Sequence, residues 1–115
     1  MNRTMPTTKS QQRETTTARL IDVACDIFAR DGYANAATEE IVERAGVTRG
    51  ALYHHFGSKQ GLFLAVLKHI QQRVGQRVET AVLPHQEPWE QLVAGSVAFL
   101  QISLDPQVQR IMLID

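Results

Sequence analysis

The segment GVTRGALYHHFGSKQGLF, residues 46–63, constrains the fold of this chain more than any other part of it. Two glycine-led breaks, at Gly46 and Gly57, stand so close together that only a very short helix fits between them. Before them, Thr38–Ala45 reads TEEIVERA, a short helix with Glu39 and Glu40 in its first turn. Carboxylates there complement the positive end of the helix dipole. Ile41 and Ala45 are spaced to share one buried face. Gly46 can leave that helix through the left-handed region without a Cβ clash, Val47 supplies an apolar plug, and Thr48 suits a helix N-cap. The next helix, Arg49–Phe56, is too short to persist alone in water, so tertiary packing must hold it, with Leu52 and Phe56 as its buried stripe. Gly57 ends it and Ser58 caps the next. Two short helices joined by a tight turn containing glycine make a helix-turn-helix.

In that motif the second helix enters the major groove of DNA with its N-terminal residues against base edges. Arg49 occupies this end. Gly50 carries a helix-propensity cost of about 1 kcal/mol against alanine, which a helix accepts where its backbone must approach something closely. Major-groove bases are one such thing, and tight packing against the preceding helix is the other. Lys59 projects near the N-terminus of the following helix, where free N–H groups favour an anion such as phosphate.

An ordered set of residues runs through the same region. Ile21, Ala24, Phe28 and Gly32-Tyr33 come first, followed by Ile41 and Ala45-Gly46-Val47. Gly50, Leu52-Tyr53, His55-Phe56, Ser58-Lys59 and Leu62-Phe63 complete it. Across residues 17–63 this pattern resembles the DNA-binding domain of the TetR/AcrR family of bacterial transcriptional regulators. The resemblance implies an all-α fold: a three-helix head with the helix-turn-helix, a long linking helix, and a helical effector domain present only in part. It implies a double-stranded, pseudo-palindromic DNA operator as partner, bound by a homodimer, with repression relieved by a small apolar effector. Thr48, Tyr53, His54, His55 and Lys59 would then fix register through phosphates. Arg49 would read bases, with Gly50 and Ala51 allowing close approach. Two positions depart from the family pattern. Ala37 stands where Ser or Thr usually caps the second helix, and Thr38 follows one place later. Either the cap shifts to Thr38 or the family's phosphate contact from that position is missing. Gly61 stands where alanine is commoner, which should loosen the start of the next helix.

The flanks read more simply. Residues 1–14 are polar, contain Pro6, and are expected to form a disordered arm. Leu20, Ile21, Ala24, Ile27 and Phe28 predict a helix over 15–31, capped by Thr15, Thr16 or Thr17; with the helix-turn-helix it makes a DNA-binding domain over 15–58. A long helix over about 59–82 carries the stripe Phe63, Val66, Leu67, Ile70, Val74, Val78 and Ala81. Pro84 and Pro88 bracket a break. The following helix, 89–104, is apolar on several sides, as a helix buried between neighbours should be. Asp105-Pro106 starts a sixth helix with Val108, Ile111, Met112 and Leu113. Trp89, Phe99 and Met112 are candidates to line an effector pocket, with ordinary core packing the alternative for each. The chain stops at Asp115 in an apolar pattern, so residues 59–115 are expected to be the linking helix and a truncated effector and dimerisation domain.

Composition limits the function classes. The formal net charge is zero and the pI about 6.9, which speaks against a broadly basic nucleic-acid binder. The local distribution is more favourable: Arg3, Lys9, Arg13 and Arg19 face only Glu14 in the first nineteen residues. The single cysteine, Cys25, precludes an intrachain disulfide and agrees with a reducing cytoplasm. Its place on the apolar face of the first helix suits a small core residue. No apolar stretch suits a membrane span. His54-His55 is no metal site, because adjacent residues point to different faces and no further ligands accompany them. No cofactor motif is present, and no nucleophile with a base, glycine-rich phosphate loop or carboxylate pair marks an enzyme. The rival reading is a truncated helical module that pairs with an intact regulator and no longer binds DNA alone.

Overall fold

The computed structural model describes residues 8–114, whose regular elements are all helical. Helix α1 (Lys9–Asp31) begins six residues before the sequence expectation, and the reason is a capping box. The Thr8 hydroxyl accepts from the Gln11 N–H at 3.0 Å, and the Gln11 side chain accepts from the Thr8 N–H at 2.9 Å. This reciprocal pair satisfies two otherwise orphaned donors. Thr15 and Thr17 are therefore interior to the helix, and their hydroxyls donate to the carbonyls of Gln11 and Glu14. Residues 8–14 of the expected arm are thus cap and helix; the expected disorder over residues 1–7 lies outside the described residues.

α1 buries Leu20, Ala24, Ile27 and Phe28 along one stripe and packs against α2 (Thr38–Ala45) and α4 (Lys59–Val82). α3 (Arg49–Phe56) is held between α2 and α4 and buries Leu52 completely. Phe28, Tyr33 and Phe63 form an aromatic cluster, with Phe63 edge-on to each partner at 5.1 Å between centroids. A single apolar core joins Ile27, Phe28, Ile41, Leu52, Leu62, Val66 and Ile70. It crosses the boundary expected after Ser58 and continues into Val108 and Ile111.

The first half of α4 belongs to this core, since its buried residues are Leu62, Val66 and Ile70. The second half packs on α5 (Pro88–Ser103). The two helices close at Gly95, where a Cβ would stand 3.1 Å from Val82 Cγ2. α5 has the apolar pattern of a helix buried between neighbours, but part of that surface is uncovered. Only Gly95 and Ala98 are buried, while Trp89, Leu92, Val93, Val97, Phe99 and Leu100 are exposed. The expected sixth helix is short: α6 (Pro106–Val108), capped by Asp105, passes directly into a π-helical segment, Gln109–Ile114.

Polar contacts brace the packed helices. The Arg30 guanidinium bonds Asp31 at 2.7 Å and, across to α2, Glu40 at 2.6 Å. It holds both carboxyls below their ordinary values and is itself pushed further up. Gln107 accepts from Arg73 of α4 at 2.8 Å and donates to Asp26 of α1 at 3.0 Å. Asp26 in turn pairs with Arg44 of α2 at 3.4 Å. Cys25 is buried in the core, and burial pushes its thiol up to about 12.

Candidate nucleic-acid interface

The turn between α2 and α3 is built as its residue types require. Gly46 lies at φ 69°, ψ 32° in the left-handed region. The Val47 N–H then reaches back to the Val42 carbonyl at 3.0 Å, satisfying an acceptor at the end of α2. Thr48 caps α3, its hydroxyl accepting from the Ala51 N–H at 3.1 Å. α2 lacks such a cap. Ala37 occupies the N-cap position with no side-chain bond, and Thr38 is the first helical residue. The cap is therefore not shifted to Thr38, and Glu39 and Glu40 in the first turn are what complement that helix end.

α3 turns one face inward with Leu52, and Ala51, His55 and Phe56 are half-buried at its edges. Arg49, Gly50, Tyr53 and His54 form the exposed face. Gly50 stands in open space. The nearest atom to a Cβ there is Thr48 Oγ1 at 3.9 Å, so packing against α2 is not what glycine serves at this position. Arg49 is 63% exposed. Its Nη1 donates to Glu39 Oε1 at 3.2 Å across the turn, and its guanidinium carbon lies 5.7 Å from the Tyr53 ring centroid.

His54 and His55 meet edge to face, with ring centroids 5.2 Å apart. Burial lowers the His55 imidazole below its ordinary value, and the neighbouring charges of His54 and Arg13 act in the same direction. Arg13 thereby falls within electrostatic reach of the α3 exit, a neighbour that the sequence reading assigned to the arm. At the start of α4, the Ser58 hydroxyl accepts from the Gly61 N–H at 3.0 Å. Lys59 Nζ lies 4.8 Å from the Tyr33 centroid and donates to the Ala34 carbonyl at 3.4 Å. A Cβ on Gly61 would collide with the Phe56 carbonyl oxygen and come within 3.1 Å of its carbon. Glycine at this position thus lets the end of α3 close on α4.

The structure does not bring the three pocket candidates together. Phe99 lines an open cleft of about 550 Å³ between α4 and α5, with Val78, Val82, Leu92 and Leu100. Phe99 and Met112 share a small cavity of about 50 Å³ with Val74 and Val108. Trp89 lies apart, beside His85, Glu90 and Val93. Among the described residues no helix is long and apolar enough to cross a membrane, and no cluster of three or more His, Cys, Asp or Glu could hold a metal ion.

Glu39 is the residue at this surface that sequence reasoning missed, since it was read only as a dipole partner. The available signal was opposite charge on either side of a short turn.

Residues 20–66 match the family model for bacterial regulatory proteins of the tetR family. The chain is 36% identical over 96 residues to the HTH-type transcriptional regulator SrpR of Pseudomonas putida, covering 84% of this chain and 43% of that protein. It is 36% identical over 100 residues to the uncharacterized HTH-type transcriptional regulator TtgW of Pseudomonas putida, covering 87% of this chain and 71% of that one. A crystal structure of a TetR-family transcriptional regulator from Pectobacterium atrosepticum superposes with a TM-score of 0.76 at 36% identity. It covers 93% of this chain and 55% of the other. The chain thus spans about half the length of that solved relative and less than half of SrpR. Matched by the family model over residues 20–66, by a relative over 100 residues and by a solved structure in overall shape, the chain belongs to the TetR family of bacterial regulatory proteins.

Proposed function

We propose that α1–α3 form a sequence-specific DNA-binding head, that α4 links it to an effector and dimerisation body begun by α5, and that the protein is a ligand-responsive repressor. The observation that carries the DNA reading is the open N-terminal turn of α3. Arg49 is exposed there beside a Gly50 with no neighbouring element against it. A duplex can approach that backbone, and arginine to guanine O6 and N7 is the commonest specific base contact. In this reading Thr38, Thr48, Tyr53, His54, His55 and Lys59 serve as phosphate ligands along α3 and at the starts of α2 and α4. Two copies would set their α3 helices in successive major grooves, roughly 34–36 Å apart, on a pseudo-palindromic operator. Repression and its relief by an apolar effector rest on the family resemblance. The cleft at Phe99, rather than Trp89 or Met112, is the part of the body that supports an effector site.

The test is selection from a pool of duplexes with a randomised core, followed by titration of the selected duplex against a scrambled one. Arg49→Ala should cost about 1–3 kcal/mol on the selected duplex and relax preference at one base position. An unchanged preference would remove Arg49 from the role of reader. The exposed apolar row on α5 gives the rival interaction module its own support. Failure of the wild-type chain to select any duplex would favour that reading.

A further inference from the structure

The first turn of α2 carries two adjacent glutamates with different partners. Glu40 is turned to α1, where Arg30 holds it at 2.6 Å. Glu39 is turned the other way, over the turn, and its Oε1 accepts from Arg49 Nη1 at 3.2 Å. Both members of this second pair are largely exposed, at 63% and 72%. Such a pair contributes little to folding, so its consequence has to be sought in where it holds the guanidinium. Arg49 is contacted on two sides, which biases its orientation: Glu39 takes a hydrogen from one terminal nitrogen, and the Tyr53 ring lies 5.7 Å from its central carbon. A guanidinium has five N–H donors in a planar fork. One bond to Glu39 leaves an edge free, and two-point contact with guanine needs just such an edge. Free rotation of an arginine side chain is a cost that binding otherwise has to meet. The carboxylate also brings a negative charge to the rim of a surface offered to phosphates, which penalises any duplex that does not engage Arg49.

We infer that Glu39 is a specificity-determining residue, which positions Arg49 for base reading and weakens binding to duplexes lacking the matching base. This rests on the reading of α3 as a DNA-recognition helix.

The experiment uses the whole chain with the selected and scrambled duplexes. Affinity is titrated for the wild type, Glu39→Gln, Arg49→Ala and the double variant, and base preference is profiled for each. Glu39→Gln keeps the side-chain shape and removes the charge. It should raise affinity for the scrambled duplex about two- to fivefold and lower preference at the base position read by Arg49. In the Arg49→Ala background it should change that preference no further, whereas a role confined to stabilising α2 would leave the preference intact even with Arg49 present. Helix content by circular dichroism should be unchanged in all variants. If Glu39→Gln leaves preference intact while Arg49→Ala lowers it, the inference about Glu39 is overturned and the reading of α3 survives. Preference unaffected by either substitution, or a wild-type chain that selects no duplex, overturns both.

Discussion

At the scale of single residues, the helix-turn-helix depends on positions whose chemistry leaves little choice. Gly46 is one of them. Nothing lies within 4 Å of where its Cβ would stand, so space is not the constraint; its φ of 69° is. An L-residue held in that region is strained by roughly 1–2 kcal/mol. Gly46→Ala should therefore lower the unfolding free energy by about that amount, measured by urea titration followed by circular dichroism. A variant as stable as the wild type would mean that the turn can relax into another conformation. Gly50 carries the opposite lesson. Its sequence context left open whether glycine served DNA or the neighbouring helix, and the empty space around it decides against the helix. The Glu39–Arg49 pair was not legible in advance, because periodicity fixes which face a side chain lies on and not which of several opposite charges it meets.

At the scale of elements, α2 and α3 have the bounds that the sequence predicts, Thr38–Ala45 and Arg49–Phe56. Their stop and start signals are local: a left-handed glycine, a threonine cap, another glycine and a serine cap. α1 was less legible at its start, since Thr15, Thr16 and Thr17 suggest caps there while the reciprocal pair is Thr8–Gln11. α5 is legible as a helix, and its burial is a separate matter. Apolar residues on several sides state a capacity for burial, and exposure depends on which neighbours are at hand. The N-terminus of α4 carries a prediction of its own. Lys59 is tied by one long bond to Ala34 and by the face of Tyr33, which leaves N–H donors for a phosphate. Lys59→Ala should weaken the selected and scrambled duplexes alike and reduce the salt slope of binding by about one. A slope equal to that of the wild type would take Lys59 off the phosphate backbone.

At the scale of the whole molecule, the radius of gyration is 17.4 Å, against about 13 Å for a globule of this length. The molecule is flattened, with extents of 50 × 47 × 22 Å, because the buried residues of α4 stop at Ile70 while its second half runs on against α5. The packed end is fastened by charge as well as by apolar contact. Asp31 and Glu40 are both held below their ordinary values by Arg30. Their ionised forms thus favour the fold. That contribution is complete above the ordinary carboxylate range, near pH 4, and is lost as pH falls through the lowered values. Urea titrations at neutral pH and at about pH 3 should show this loss in the wild type and a smaller loss in Arg30→Gln. An identical acid dependence in the two proteins would show that the Arg30 brace does not couple folding to protons.

The lone thiol gives the head a reporter of its own. Cys25 sits at 2% exposure among Leu20, Ala24 and Phe28, and it stays protonated at any ordinary pH. Alkylating reagents are attacked by the thiolate, so an intact molecule presents them with neither access nor a nucleophile. The rate at which the chain takes up such a label therefore counts the moments when this end comes apart, without any engineered probe.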